Sequence, residues 1–155
     1  NEARTPSPPI EVNGYGVSVA CPAITHSHGL PMPSIASPVA RKSLPDTRTS
    51  MTHKFSIMNH EGYLTIGLFE NGQPGEIFIK MSKEGSTLSG LIQGFCRAFS
   101  LALQHGLSTS DAVERFRGMR FEPMGPTSNP EIPTASSILD YVARYIDLTF
   151  CSEEH

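Results

Sequence analysis

The sequence predicts an α+β fold: a three-stranded antiparallel meander packed by about three helices and preceded by an extended, proline-rich arm. Three observations predict it. Between Ser50 and Met81, three runs rich in Ile, Phe, Tyr and Leu alternate in part with a period of two and are separated by turn residues. From Leu88 to Leu103 apolar residues recur at three- and four-residue steps, the period of a helix face. Eight of the 13 prolines fall within residues 1–49, a density that cannot hold a helix and interrupts sheet ladders.

Taken in order, residues 1–49 form the arm, within which GYGVSVACPAI, Gly14 to Ile24, has enough Val and Ile alternation for a short edge strand. The body, residues 50–150, opens with the strands THKFSIM, EGYLTIGLF and GEIFIKM. Their predicted breaks are His60-Glu61-Gly62 and the stretch Glu70 to Gly75, whose Asn71-Gly72 pair is a strong hairpin signal. Leu88, Leu91, Ile92, Phe95, Phe99, Ala102 and Leu103 define the apolar stripe of a long helix, with Gly106 placed where a left-handed cap ends it. Ser108 with Asp111 resembles a capping box for a second helix through Phe116. Ser136 or Thr134 opens a third, with Ile138, Tyr141, Val142 and Tyr145 inward. The intervening FEPMGPTSNPEIP reads as loop, and residues 151–155 as a tail.

Size and composition exclude several classes. A chain of 155 residues accommodates one domain with its own core. A net charge of −3 and a pI near 6.1 supply no broad basic field, so no nucleic-acid partner is expected. No apolar run of roughly 18 residues reads as a membrane span. Cys21, Cys96 and Cys151 make no CxxC pair and are odd in number, against a zinc knuckle or a disulfide scaffold and in favour of a reducing intracellular compartment. The start at Asn1 without methionine implies that something upstream was removed; were that a transit peptide, the compartment would be organellar and the surface of a membrane complex a candidate location.

The strings PVARKSLPDTRTSMTHKF, HEGYLTIGLFENGQPGEIFIKMSKEGSTLSG, RFEPMGPTSNPEI and SILDYVARY, spread from about Pro38 to Ile146, resemble the segment that follows the catalytic barrel in adenosylcobalamin-dependent, class II ribonucleotide reductases, a region often called the TSCPD domain. The resemblance implies a fold and an ancestry. It also implies that the radical chemistry and the cobalamin belong to a barrel outside this stretch, and the cysteine-rich tail that ends many such enzymes has only Cys151 to match it.

Candidate sites are few. Lys80, Lys83, Gly85, Ser86 and Thr87 form a turn into the long helix with the parts of an anion site, charge plus free amides at a helix start. The Walker A order is absent, and Ser86 acting as an N-cap accounts for the turn without a ligand. His53, His60 and Glu61 could meet across the first hairpin as a metal or acid-base group, although polar strand ends explain them equally. His26 and His28 flank a serine at a spacing that chelates metals but is common in loops. Cys96 on the apolar stripe reads as a small buried hydrophobe. Tyr15, His26, His28, Arg41 and Arg48 on the arm, with Arg120 and Glu122 on the loop, are candidates for gripping a partner protein. No catalytic residue, no metal and no cofactor is called for. The sequence therefore predicts a non-catalytic accessory or scaffolding subunit of a larger assembly, contacted through its arm. The alternative is the C-terminal part of an adenosylcobalamin-dependent ribonucleotide reductase acting in deoxyribonucleotide synthesis.

Overall fold

The computed structural model describes residues 38–151, to which every structural statement refers. The strand expected over Gly14–Ile24, with Tyr15, His26 and His28, lies outside them.

Three strands, β1 (Ser50–Ile57), β2 (His60–Leu68) and β3 (Pro74–Met81), form one antiparallel sheet in the order β1-β2-β3, as the alternation predicts. The first turn differs from the predicted one. The chain reverses over Met58-Asn59, with Met58 at φ 55°, and His60 to Gly62 already belong to β2. Gly62 reads as a turn residue in sequence, yet its role is steric: a Cβ there would lie 2.6 Å from Met81 Sδ and 2.8 Å from Phe55 Cζ, so glycine leaves the space those two side chains fill. The second turn falls where Asn71-Gly72 places it, with Gly72 at φ 80° and its amide donating to Phe69 O at 2.9 Å.

Alternation then sorts the sheet into two faces. Phe55, Ile57, Leu64, Ile66, Ile77 and Ile79 share one face and are each at most 5% exposed. Each such side chain contributes about 1.5–3 kcal/mol by leaving water. Against this face pack α1 (Ser86–Gln104), α2 (Thr109–Phe116) and α3 (Ile138–Ile146), through Ile92, Phe99, Leu103, Val113, Tyr141 and Ile146 among others.

Helix α1 also closes the outer edge of β3. Gln104 Nε2 donates to Gly75 O at 2.9 Å, the Ile77 amide donates to Ser100 Oγ at 3.0 Å, and the Ile79 amide is bonded to the Cys96 thiol. Four helical residues advance about 6 Å and two strand residues about 6.6–6.8 Å, so rungs spaced by four on the helix stay in step with every second strand residue. The edge amides thereby find partners on the protein's own helix instead of on another chain.

The helix ends follow elementary capping with two adjustments. Ser108 caps α2, accepting from the Asp111 amide at 3.1 Å as its spacing predicts, and Gly106 at φ 93° follows the end of α1. At α3 the cap is Ser137, accepting from the Asp140 amide at 3.0 Å, not Ser136 or Thr134; Ser136 instead donates to the Asp140 carboxylate. The predicted loop between α2 and α3 contains a small hairpin, β4 (Gly125–Pro126) with β5 (Thr134–Ala135), fastened to the first turn by the Met58 amide donating to Pro126 O at 2.8 Å. A π-helical turn, Asp147–Cys151, follows α3.

Candidate functional site

Lys80 to Thr87 make the connection from β3 into α1, and its geometry is that of a joint. Ser82 ties it back to β2, with its amide and hydroxyl both donating to Glu61 O at 2.9 and 2.8 Å. Gly85, not Ser86, is the N-cap, with extended backbone and no side-chain cap, and Ser86 is the first helical residue. The Glu84 side chain, 11% exposed, places its carboxylate 3.4 Å from His60 Nδ1, with one buried oxygen that accepts no hydrogen bond among the described residues. The two lysines diverge, Lys80 lining a hollow with Tyr63 and Phe78, Lys83 a separate one with Met58 and Asn59.

The histidines do not meet. His53 faces the core side, its Nε2 2.9 Å from the Tyr141 hydroxyl and its ring stacked on Tyr145 with centroids 3.9 Å apart. His60 faces Glu84, while Glu61 pairs with Lys54 at 3.3 Å on the opposite face. Among the described residues no group of three or more His, Cys, Asp or Glu could hold a metal ion. Burial lowers the His53 pKa, because the charged imidazole loses hydration between two tyrosines. A histidine whose folded pKa lies below its free value of about 6.5 contributes stability that is complete above that pH and lost as pH falls towards the folded value. The melting temperature is therefore expected to drop between pH 7 and 5, with a shallower slope in His53→Gln; equal slopes would exclude His53 as the source.

Arg41 and Arg48 are turned onto their own domain. Arg41 Nε donates to Gln104 Oε1 at 2.7 Å, and the Lys42 amide to Gln104 O at 2.8 Å. Arg48 forms an ion pair with Glu76 and donates to Pro45 O and Asp46 O, both at 3.2 Å. Leu44 packs beside Gly75, where a Cβ would come within 2.9 Å of it. Residues 38–49, which the sequence groups with the arm and which have no regular structure of their own, are thus fastened to α1 and β3 by three donors, the Arg41 and Arg48 guanidiniums and the Lys42 amide.

Arg120 and Glu122 are exposed, and neither makes a hydrogen bond or ion pair among the described residues. Next to them lies a residue that sequence reasoning missed. Asp140, 0% exposed, accepts from the Gly118 amide at 2.7 Å, the Ser136 amide and hydroxyl, both at 3.0 Å, and Arg144 Nε at 3.1 Å. Burial alone would raise its pKa; these donors outweigh burial and hold the carboxyl below its ordinary range. The Ser-Ser-Ile-Leu-Asp order was a signal for a capped start, but nothing local announces that the same carboxylate also holds Gly118.

Cys96 is inert by geometry. Burial pushes its thiol up to about 11, against a smaller opposing pull from the Ile79 amide, and a thiol at that value is protonated near neutrality. Asp140, His53 and Cys96 are thus each committed to internal structural bonds.

Comparison with known proteins gives these features a lineage. The TSCPD domain family model matches residues 36–150. The chain is 54% identical over 112 residues to a vitamin B12-dependent ribonucleotide reductase of Rhodopirellula baltica, covering 72% of this chain and 11% of that protein. It is 43% identical over 110 residues to the Streptomyces avermitilis enzyme of the same name, 71% of this chain and 11% of that one. With the Agrobacterium fabrum enzyme the figures are 40% over 111 residues, 71% and 9%. The chain thus spans about a tenth of the length of these curated relatives. No solved structure gives a significant match. With its meander, its three helices and the strings between them matched from residue 36 to residue 150, the chain belongs to the TSCPD domain family and is homologous to a small part of vitamin B12-dependent ribonucleotide reductases.

Proposed function

We propose that the chain serves adenosylcobalamin-dependent ribonucleotide reduction, and so deoxyribonucleotide synthesis, as a non-catalytic docking domain that acts beside a catalytic barrel. The observation that carries this reading is the identity of 54% over 112 residues to a segment making up 11% of a reductase. The commitment of Asp140, His53 and Cys96 to internal bonds supports a role in binding over turnover. The two histidines that register places on the core face are engaged elsewhere, His53 with its Nε2 on Tyr141 and its ring stacked on Tyr145, His60 beside Glu84, which does not fit them as ligands of a corrin cofactor.

The test is reconstitution. The R. baltica reductase lacking the matching segment is assayed for cobalamin-dependent ribonucleotide reduction, alone and with the full 155-residue chain. The expected result is activity that rises on addition of the chain, while the chain alone turns nothing over. Turnover by the chain alone would contradict the non-catalytic role. Activity indifferent to the chain, together with a stable complex of unrelated proteins from the natural source, would favour the scaffolding role in another assembly that the proline content of residues 1–49 supports.

A further inference from the structure

One face of the sheet is covered by helices; the other is bare among the described residues, and its side chains are not those of a merely solvated surface. Register places them in rows. Ser50, Gly67 and Glu76 form one row, closed over by the Arg48–Glu76 ion pair. Thr52, Thr65 and Phe78 form the next, and Lys54, Tyr63 and Lys80 the one after. Phe78 is 53% exposed and Tyr63 43%, on adjacent strands at diagonal positions, where long side chains are within reach of each other. The outward face of an antiparallel sheet is ordinarily polar, and clustered exposed aromatics mark contact surfaces where single ones do not.

The face continues onto the flank of α1. Between β3 and this flank run two hollows of about 380 and 520 Å³ that share Phe78, Ile79 and Gln93 and so make one trough. Arg97 and the 43%-exposed Leu101 border it from the helix, and Lys80 from the strand. Neither Arg97 nor Lys80 has an ion-pair partner among the described residues, and Arg41, bonded to the neutral Gln104, lines the first hollow as a third cation; against them stand only Glu76, paired with Arg48, and Glu84, so cations outnumber acids along it. The trough is therefore cationic and aromatic on a chain whose net charge is −3.

We propose that this trough, bordered by Tyr63, Phe78, Lys80, Gln93, Arg97 and Leu101, is the surface by which the domain docks, and that its partner is an acidic surface with an apolar projection on the remainder of the reductase. The inference rests on the function proposed above. Charge complementarity selects the partner: a carboxylate matches the planar fork of Arg97, and an apolar side chain fits between Phe78 and Leu101. About nine-tenths of the R. baltica and S. avermitilis relatives lies outside the part this chain matches, so such a surface has ample protein to belong to. Where domain and partner share one chain, the tether raises the effective concentration to about the millimolar range, so a modest patch suffices.

The test titrates the full 155-residue chain into the R. baltica reductase lacking the matching segment, by calorimetry, with both preparations checked by circular dichroism. Arg97→Glu, Lys80→Glu and Phe78→Ala alter exposed positions and are expected to keep the wild-type melting temperature. Each is expected to weaken binding about tenfold or more, whereas Arg115→Glu, the same charge change on α2, stays within about twofold. Binding by the wild type that all three variants retain would overturn the trough while leaving the docking function standing. Equal losses in Arg115→Glu would overturn it too, since the attraction would then be unspecific. No binding by the wild type would overturn the reductase reading and this surface with it. A 20-mer of uridine bound through Phe78 and Arg97 more tightly than the reductase would overturn it in favour of a single-stranded nucleic-acid platform.

Discussion

Asp140→Ala is expected to destabilise the domain by about 3–5 kcal/mol, read as a fall in melting temperature of more than about 10 °C. The carboxylate is fully buried and receives four donors from three places in the chain: Gly118 after α2, Ser136 before α3, and Arg144 one turn on. Alanine strips the acceptor and leaves two backbone amides and a hydroxyl to find water in a closed site, where each unsatisfied group costs about 1–3 kcal/mol. Arg144 is partly exposed and can rehydrate, so most of the loss comes from the amides. Asp140→Asn keeps one acceptor oxygen and is expected to cost less, about 1–3 kcal/mol. Acid should weaken the wild type by the same route. The folded pKa is depressed, so the stabilisation is present above the unfolded value of about 3.9 and is lost as pH falls through the folded one. Urea melts at pH 7 and pH 3 check both statements: the gap between wild type and Asp140→Ala should narrow at the lower pH, and a gap that stays constant would show that the carboxylate's charge is not what holds the site.

Tyr141→Ala ranks beside it, at about 3–5 kcal/mol, the cost of deleting a buried aromatic ring. Tyr141 is 0% exposed, its ring stacks on Phe55 at 4.7 Å, and its hydroxyl meets His53 Nε2 at 2.9 Å. The substitution opens a cavity between β1 and α3 and strands His53, which stays stacked on Tyr145 without its partner. Tyr141→Phe separates the two effects. It keeps the ring and is expected to cost only about 1–2 kcal/mol, the value of the hydrogen bond and of the half-buried nitrogen left behind. If phenylalanine proved as damaging as alanine, the hydroxyl and not the packing would be the source. Both variants lie away from the bare sheet face, so reductase binding by the folded fraction should survive them.

The fold was legible in the sequence where the signal is local. Alternation placed β1, β2 and β3, the three- and four-residue steps placed α1, and Asn71-Gly72 and Ser108 with Asp111 marked their turn and cap because each acts on the backbone within a few residues of itself. Where it failed, a distant group decided. Gly62 resembles a turn glycine, but what needs its missing side chain is Phe55 and Met81. The hairpin of β4 and β5 is two residues per strand and proline-rich, and its pairing is held by Met58, more than sixty residues before it. Ser86 has the composition of a cap, yet the chain turns into the helix one residue earlier, with Gly85 at the N-cap and Ser86 as the first helical residue.

The candidate sites divide on the same principle. Residue type showed that Cys96 would be a buried hydrophobe, since burial follows from period and composition, whereas the cap it assigned to Ser86 falls to Gly85. Arg41 and Arg48, by contrast, look outward in sequence and are bonded inward, because Gln104 and Glu76 reach them only when α1 lies along β3. The bare face of Tyr63, Phe78 and Arg97 is likewise invisible to periodicity. Alternation states which residues share a face, and only the packing of three helices on one side decides which face is left for something else to cover.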